Sequence, residues 1–402
     1  MYLTRLSLSN FRAFTRLDME IPRRLLLLVG DNAQGKTTLL EAVYYLAVFT
    51  SFQTSADRQV INLQSAGAEP LAVARLVAEY QRLGQTHRLE VRVIQDQTAG
   101  SAARVRKEIL LDGVKRSAQK ALGNFTAVIF LPQMSKIVDG SPDERRRYLN
   151  MALSQGIPGY AQSLSHYQQV ITRRNALLKL LAERGGDQDQ LEYWDALLVQ
   201  HGSQVLQARL QAVEEIGRQA RQIHHHLTNG SEVLNLAFQP AYDPYRAAGA
   251  PAGEGDQPAI PLEELQAGFR RSLVKARREE IARGVTTIGP HRDELRFLCN
   301  GVDLGDYGSR GQIRTLLLSL KLAEMEWLKA RTGDWPVLLL DEILAELDPR
   351  RRTDLQEFLL EREQALLTTT DLHLFSDDFL GQSTVWTISE GQVSHLNGSS
   401  LT

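Results

Sequence analysis

The sequence predicts an α/β fold: a discontinuous parallel-sheet head with an antiparallel β subdomain, interrupted by a mainly α-helical second lobe. Three observations predict it. Apolar runs at 25–29 and 337–340 read as buried strands, roughly 300 residues apart in sequence yet suited to one sheet. A glycine-rich loop follows the first run and two adjacent acids follow the second. Between them, from Pro142 to about Asn229 and again from Leu262 to Ala282, the spacing of apolar residues is helical. The expected division is therefore a head of residues 1–141 and 286–402 and a helical lobe of residues 142–285.

The N-terminus alternates Tyr2, Arg5, Ser7 and Ser9 against Leu3, Leu6 and Leu8, which predicts a strand ending in a turn at residues 10–13. The loop Gly30-Asp31-Asn32-Ala33-Gln34-Gly35-Lys36-Thr37 follows the strand at 25–29. It fits G-x-x-x-x-G-K-[ST], a phosphate-binding loop. Its glycines let the backbone turn its N–H groups toward an anion, and the helix beginning at about Thr38 adds a positive N-terminal end. Lys36 is placed to reach β- and γ-phosphates, and Thr37 to hold Mg²⁺. Strands at 73–80, 88–94 and 105–111, with turns at 97–103 and at Asp112-Gly113, predict the antiparallel β subdomain.

A short strand at 128–131 ends at Pro132. The helical stretch that follows breaks at 156–159 and at Gly185-Gly186, and residues 246–261, rich in Ala, Gly and Pro, read as a loop. Arg270, Arg271, Lys275, Arg277 and Arg278 crowd the second half of the next helix. They read either as a solvated face or as a phosphate-contacting patch on DNA. The last part returns to α/β character: helix 312–329, strand 337–340, helix 350–361, and strands 365–367 and 385–388.

The whole chain narrows the class further. A length of 402 residues with a formal net charge of −2 excludes a generally basic nucleic-acid coat but allows a local patch. One cysteine, Cys299, excludes an internal disulfide and argues against a zinc cluster. The run His224-His225-His226 reads as a partly exposed helical face rather than a metal site, because consecutive residues diverge around a helix. The first apolar segment is interrupted by Arg5, Asn10 and Arg12, and no apolar run approaches the roughly 20 residues that span a bilayer, so a cytoplasmic protein is expected.

Asp341 and Glu342, at the carboxyl end of the apolar strand, supply the two carboxylates a nucleotide hydrolase needs: a magnesium ligand and a group that polarises the attacking water. Ser309-Arg310-Gly311-Gln312 opens a helix and reads either as an ordinary N-cap or as a second anion nest. Gln312 lies 29 residues ahead of Asp341, the order and spacing of the signature motif in ABC-type ATPases.

Taken together, these segments resemble the RecF family, bacterial recombination mediators of the ABC/SMC class. The resemblance runs in order through Asn10-Phe11-Arg12, the phosphate loop with Thr38, Ser51-Phe52-Gln53-Thr54, Pro132-Gln133, Asp139-Gly140-Ser141-Pro142 and Arg145-Arg146-Arg147-Tyr148-Leu149. It continues through Arg173-Arg174-Asn175, Gly289-Pro290-His291-Arg292-Asp293, Ala345-Glu346-Leu347-Asp348 and Thr368-Thr369-Thr370-Asp371. It implies an ABC-type ATPase head binding ATP and Mg²⁺, with Lys36 and Glu342 catalytic, Gln133 linking the metal site to the helical lobe, and Asp348 in the D-loop. No histidine stands at Thr370 or Asp371, where many ABC proteins have a switch histidine; His373 comes two residues later. The resemblance also implies an ATP-dependent homodimer on gapped or junction DNA, in which the signature serine of one subunit covers the γ-phosphate held by the other. Slow, DNA-stimulated hydrolysis would release the dimer. Cooperation with RecR and RecO to load RecA, in replication restart and the SOS response, is implied in the same way. A transporter ATPase subunit fits less well, because the helical excursion is too long for it. An SMC arm protein would need far more coiled coil than the 271 residues between Thr37 and Ser309. A small-molecule kinase would not need Ser309–Gln312.

Overall fold

The strand Leu25–Val29 is apolar throughout and buried along nearly its whole length, as a strand covered on both faces must be. In the computed structural model, which describes residues 1–54, 56–68, 70–96, 104–247, 260–389 and 391–395, it occupies the interior of a six-stranded sheet. The order is Gln392–His395, Ser383–Ser389, Leu25–Val29, Ala365–Thr369, Val337–Asp341 and Ala127–Phe130. Every neighbouring pair is parallel except the first. The two strands expected to share a sheet do so, with Ala365–Thr369 inserted between them. Parallel strands put their carboxyl ends on one edge, so Val29, Thr369 and Asp341 all arrive at the same end. The helix Lys36–Val48 leaves from that edge, starting two residues before the predicted Thr38.

A second six-stranded sheet is antiparallel. Its order is Phe14–Glu20, Tyr2–Phe11, Leu71–Arg82, Gln85–Asp96, Arg104–Leu111 and Val114–Arg116. The N-terminal alternation skips a step between Leu3 and Leu6, and the pairing slips at that point: Leu3 faces Tyr80 while Arg5 faces Glu79. The irregularity is a β-bulge that keeps both leucines in the core. Asp112 and Gly113 have φ of 50° and 79°, the paired left-handed conformation of a two-residue hairpin turn.

The helical region forms Pro142–Gly156, Tyr160–Arg184, Leu191–Leu227 and Leu262–Arg283, broken at the predicted glycines. Tyr167, Val170, Leu198, Leu206, Phe269 and Leu273 form its principal core. The predicted turn at 97–103 and most of the loop at 246–261 lie outside the described residues.

Compact units follow residues 1–134 with 324–402, and residues 135–323. The second boundary corrects the expectation that residues 286–323 belong to the head. Strand Glu294–Cys299, whose burial alternates residue by residue, pairs with Leu234–Gln239 in a three-stranded antiparallel sheet. Three charged knots then tie this segment to the helices. Arg145 grips Glu294 through two bonds of 2.7 and 2.9 Å, Arg209 pairs with Asp293 at 2.8 Å, and Thr286 accepts from Arg174 at 2.8 Å. Arg174 is fully buried and also binds Asp195 and Glu280, so its charge is neutralised where desolvation would otherwise be costly.

Candidate nucleotide site

The loop from Gly30 to Thr37 is shaped by local steric demands. A Cβ on Gly30 would lie 2.3 Å from the Ile388 carbonyl oxygen, so the backbone can pass the neighbouring strand only as glycine. Gly35 has φ of 106°, which turns the chain into the Lys36–Val48 helix. The helix start supplies free N–H groups and its dipole.

Lys36 is only 4% exposed, and its ammonium has three hydrogens to place. Three acceptors stand around it: the Gly30 carbonyl at 2.5 Å, the Asp31 carbonyl at 3.1 Å and Glu342 Oε1 at 3.0 Å. A phosphate reaching this ammonium must replace one of them. Glu342 is the replaceable one, because its side chain is 34% exposed whereas the two carbonyls belong to the loop itself.

Thr37 Oγ1 lies 2.9 Å from both carboxylate oxygens of Asp341. Magnesium holds oxygen ligands at 2.0–2.1 Å in an octahedron, so adjacent ligands stand about 2.9 Å apart. The Thr37–Asp341 pair therefore fits one edge of a magnesium shell without rearrangement. Burial pushes the Asp341 carboxyl upward, opposed by hydrogen bonds from Thr368 and Thr37 and reinforced by the neighbouring Glu342 charge. A cation here would relieve that burden. Gln133 is exposed on the single turn Pro132–Ser135, just past Ala127–Phe130, the strand beside that of Asp341.

Thr368 had no assigned role in the sequence reading. Its Oγ1 donates to Asp341 Oδ1 at 2.7 Å and accepts from the Glu342 N–H at 3.1 Å. It thus orients both acids from the strand between them and the loop strand. Glu342 itself takes a left-handed conformation, φ 50° and ψ 22°, which turns its side chain away from the strand direction.

The Ser309 segment lies in the unit of residues 135–323. Ser309 Oγ accepts from the Gln312 N–H at 3.2 Å, and Gln312 Oε1 accepts from the Ser309 N–H at 3.1 Å. This is a reciprocal capping box opening the helix Arg310–Thr332, so the N-cap reading holds. Ser309, Arg310 and Gly311 are exposed.

The chain matches the profile of the RecF/RecN/SMC N-terminal domain across residues 2–387. It is 38% identical to the DNA replication and repair protein RecF of Roseiflexus castenholzii over 98% of this chain and 99% of that one. The chain belongs to the RecF family. The RecF of Chloroflexus aggregans is 39% identical over the same shares. A solved structure of the recombination mediator protein RecF with ATP, in the RecFOR pathway, superposes with a TM-score of 0.82 at 27% identity, covering 98% of each chain. An Smc head bound to the winged-helix domain of ScpA, at 14% identity and a TM-score of 0.51, shares the ABC-type head fold.

Several segments of family resemblance brace the fold through hydrogen bonds within the chain. Arg12 holds Glu41 of the phosphate-loop helix through bonds of 3.0 and 2.6 Å, and Ser51 donates to the same carboxylate. Asp348 caps the helix Pro349–Leu360 by accepting from Arg351 N at 3.2 Å. Asp371 caps the turn Leu372–Leu374 by accepting from His373 N.

The basic helix divides. Arg270, Arg271, Lys275 and Arg278 are exposed. Arg277 is not available as a surface cation: its guanidinium is paired with Asp195 at 3.0 Å and is mostly buried. Its place among candidate DNA contacts is corrected accordingly. The histidine run diverges around its helix, as expected of a partly exposed face. His224 is fully buried while His225 and His226 are exposed. Among the described residues no helix is long and apolar enough to cross a membrane.

Proposed function

We propose that this chain is an ATP-dependent DNA-binding protein of recombinational repair, a magnesium-dependent ATPase whose nucleotide acts as a timer on a DNA-bound homodimer. The observation that carries the reading is the convergence of Lys36, Thr37, Asp341, Glu342 and Thr368 at the carboxyl edge of one parallel sheet. The loop from Gly30 to Thr38 cradles the phosphates. Thr37 and Asp341 hold Mg²⁺, with Gln133 as a candidate further ligand, and the ion supplies charge neutralisation to the β- and γ-phosphates when bound.

Lys36 and Glu342 act as a pair. As the γ-phosphate takes the ammonium, the carboxylate is released from it. Glu342 can then accept a proton from a water aimed at the γ-phosphorus. The same event that binds the nucleotide therefore arms the base.

Ser309 to Gln312 would cover the γ-phosphate held by a second copy, completing two sites in a homodimer. The capping box keeps the Ser309 hydroxyl and the first N–H groups of the helix in fixed register for an incoming anion. Loss of the γ-phosphate on hydrolysis removes the contact that joins the copies, and the dimer opens. The RecFOR setting of the solved relative and the repair names of the curated relatives support gapped or junction DNA as substrate. They support RecR and RecO as partners in loading RecA, within the cytoplasm.

Sedimentation with gapped DNA, with and without ATP, tests this reading. Wild type is expected to sediment as an ATP-dependent dimer on DNA. Lys36→Met should lose nucleotide binding and dimer together, whereas Ser309→Arg should keep nucleotide and lose the dimer. A monomer that binds DNA equally with and without ATP would overturn the reading.

A further inference from the structure

His224, Glu232 and Cys299 bring one nitrogen, one carboxylate oxygen and one sulfur to within 4.8 Å of one another, all inside the unit of residues 135–323. His224 is fully buried, Cys299 is buried, and Glu232 keeps 20% of its side chain exposed as a way in. The three come from separate places: the last turn of the Leu191–Leu227 helix, the segment after it, and the end of the Glu294–Cys299 strand.

The hydrogen between His224 and Ser319 can be assigned. Ser319 Oγ donates its only hydrogen to the Thr315 carbonyl at 2.8 Å. It can therefore only accept from His224 Nδ1, 3.1 Å away. A neutral ring with its hydrogen on Nδ1 presents a bare lone pair at Nε2. That lone pair faces Glu232 Oε2 at 3.0 Å. Two acceptors in contact require something positive between them, either a proton or a metal ion.

The surroundings favour the metal. Cys299 Sγ lies within 4.8 Å of the donor atoms of both His224 and Glu232, so a third donor converges on the place where they meet. Tetrahedral zinc with Zn–N of 2.0–2.1 Å and Zn–S of 2.3 Å spaces its donors about 3.3–3.7 Å apart. His224 Nε2 and Glu232 Oε2 stand 3.0 Å apart and all three donor atoms lie within 4.8 Å of one another, close enough for small side-chain shifts to reach that spacing. Two of the ligands also have the outer support that metal sites use. Ser319 fixes the His224 ring, and Gln312 Nε2 donates to Glu232 Oε1 at 3.0 Å.

We propose that His224 Nε2, Glu232 and Cys299 Sγ form a binding site for a thiophilic divalent cation of the zinc class, with a fourth position open to water. Binding exchanges protons for metal. The thiol proton leaves to solvent as the S–metal bond forms, together with any proton on Nε2. The sequence argued against zinc because a single cysteine cannot make a cysteine cluster. A mixed N/O/S site needs only one. Gln312 bonds at once to Glu232 and, through the capping box, to Ser309, so the ion would brace the turn that carries the signature serine. The metal site does not depend on the nucleotide reading, and its failure would leave that reading untouched.

Cobalt(II) titration of the full-length, chelator-treated protein tests the proposal. One equivalent should give a thiolate-to-cobalt charge-transfer absorption and intense tetrahedral d–d bands, both removed by zinc and not by excess magnesium. Cys299→Ser should lose the charge-transfer absorption. Gln312→Ala, which leaves all three ligands in place, should weaken zinc binding about 10-fold. Absence of the charge-transfer absorption in the wild-type protein would overturn the site and leave a histidinium–glutamate pair, and so would its persistence in Cys299→Ser.

Discussion

Thr368→Val removes one hydroxyl and keeps the β-branched shape suited to a buried strand, so its effect is read at Asp341 and Glu342 rather than in the fold. The Glu342 N–H retains the Thr368 carbonyl at 3.3 Å, so no backbone donor is orphaned. Asp341 loses its 2.7 Å bond from Thr368 and keeps only Thr37. A hydrogen bond to a charged group is worth about 1.5–3 kcal/mol, and Asp341 is 7% exposed, so solvent does not replace it well. Outer-shell partners of this kind typically hold about 10–100-fold in metal affinity, so the magnesium concentration that half-saturates ATP turnover should rise at least about tenfold. The pH dependence carries a sign. Burial already raises the Asp341 carboxyl, and Thr368 opposes that rise. Without it the carboxyl goes higher, so protons compete better with magnesium. The deficit should be larger near about pH 6 than near about pH 8, and Thr368→Ser should restore wild-type behaviour. A half-saturating magnesium concentration within about twofold of wild type at both pH values would refute the reasoning.

Glu342→Gln removes the carboxylate that competes for Lys36; nucleotide should bind more tightly by equilibrium titration while turnover falls, and unchanged turnover would exclude Glu342 as the base. Gly30→Ala sets a Cβ against the Ile388 carbonyl and should lower the unfolding temperature and nucleotide affinity together, read by calorimetry and titration. Arg277→Glu faces Asp195 with a second carboxylate and should cost about 1–3 kcal/mol in denaturant unfolding. Charge reversals at Arg270, Arg271, Lys275 and Arg278 should leave stability nearly unchanged. They should flatten the salt dependence of DNA binding; an unaltered salt slope would identify a merely solvated face. His291 is held down to about 4 by burial and by Arg292, Arg146 and Arg209, against the opposing bond to the Thr286 carbonyl. A depressed histidine stabilises the fold above its unfolded value near 6.5. About 3 kcal/mol should therefore be lost as pH falls from there toward 4, measured by urea unfolding. The same acid loss in His291→Gln would locate the lability elsewhere.

The phosphate loop, its flanking strand and helix, and the acids at 341–342 were legible because their chemistry is local. Eight consecutive residues must curl around an anion, and an apolar strand must end where its acids begin. Helix breaks at the glycines near 156–159 and 185–186 were legible for the same reason, since backbone freedom is a property of the residue itself. Family membership was legible because many such local pieces occur in one order. Strand Glu294–Cys299 carries an alternation of its own, but nothing local names Leu234–Gln239 as its partner, and that pairing is what assigns it to the helical unit. The reach of the helical unit to residue 323 followed from that pairing and from the arginine–carboxylate knots, which no local pattern announces.

By itself, then, the sequence determined what each local segment can do: bind an anion, end a strand in acid, cap a helix. Tertiary structure decided which of these groups meet. It set Thr368 between the two acids, folded Arg277 onto Asp195, and gathered His224 with Glu232 and Cys299. The physical reason is that dihedral preference and hydrophobic period act over a few residues. Hydrogen bonds and charge pairs between distant side chains exist only once the chain has closed its loops and excluded water from them.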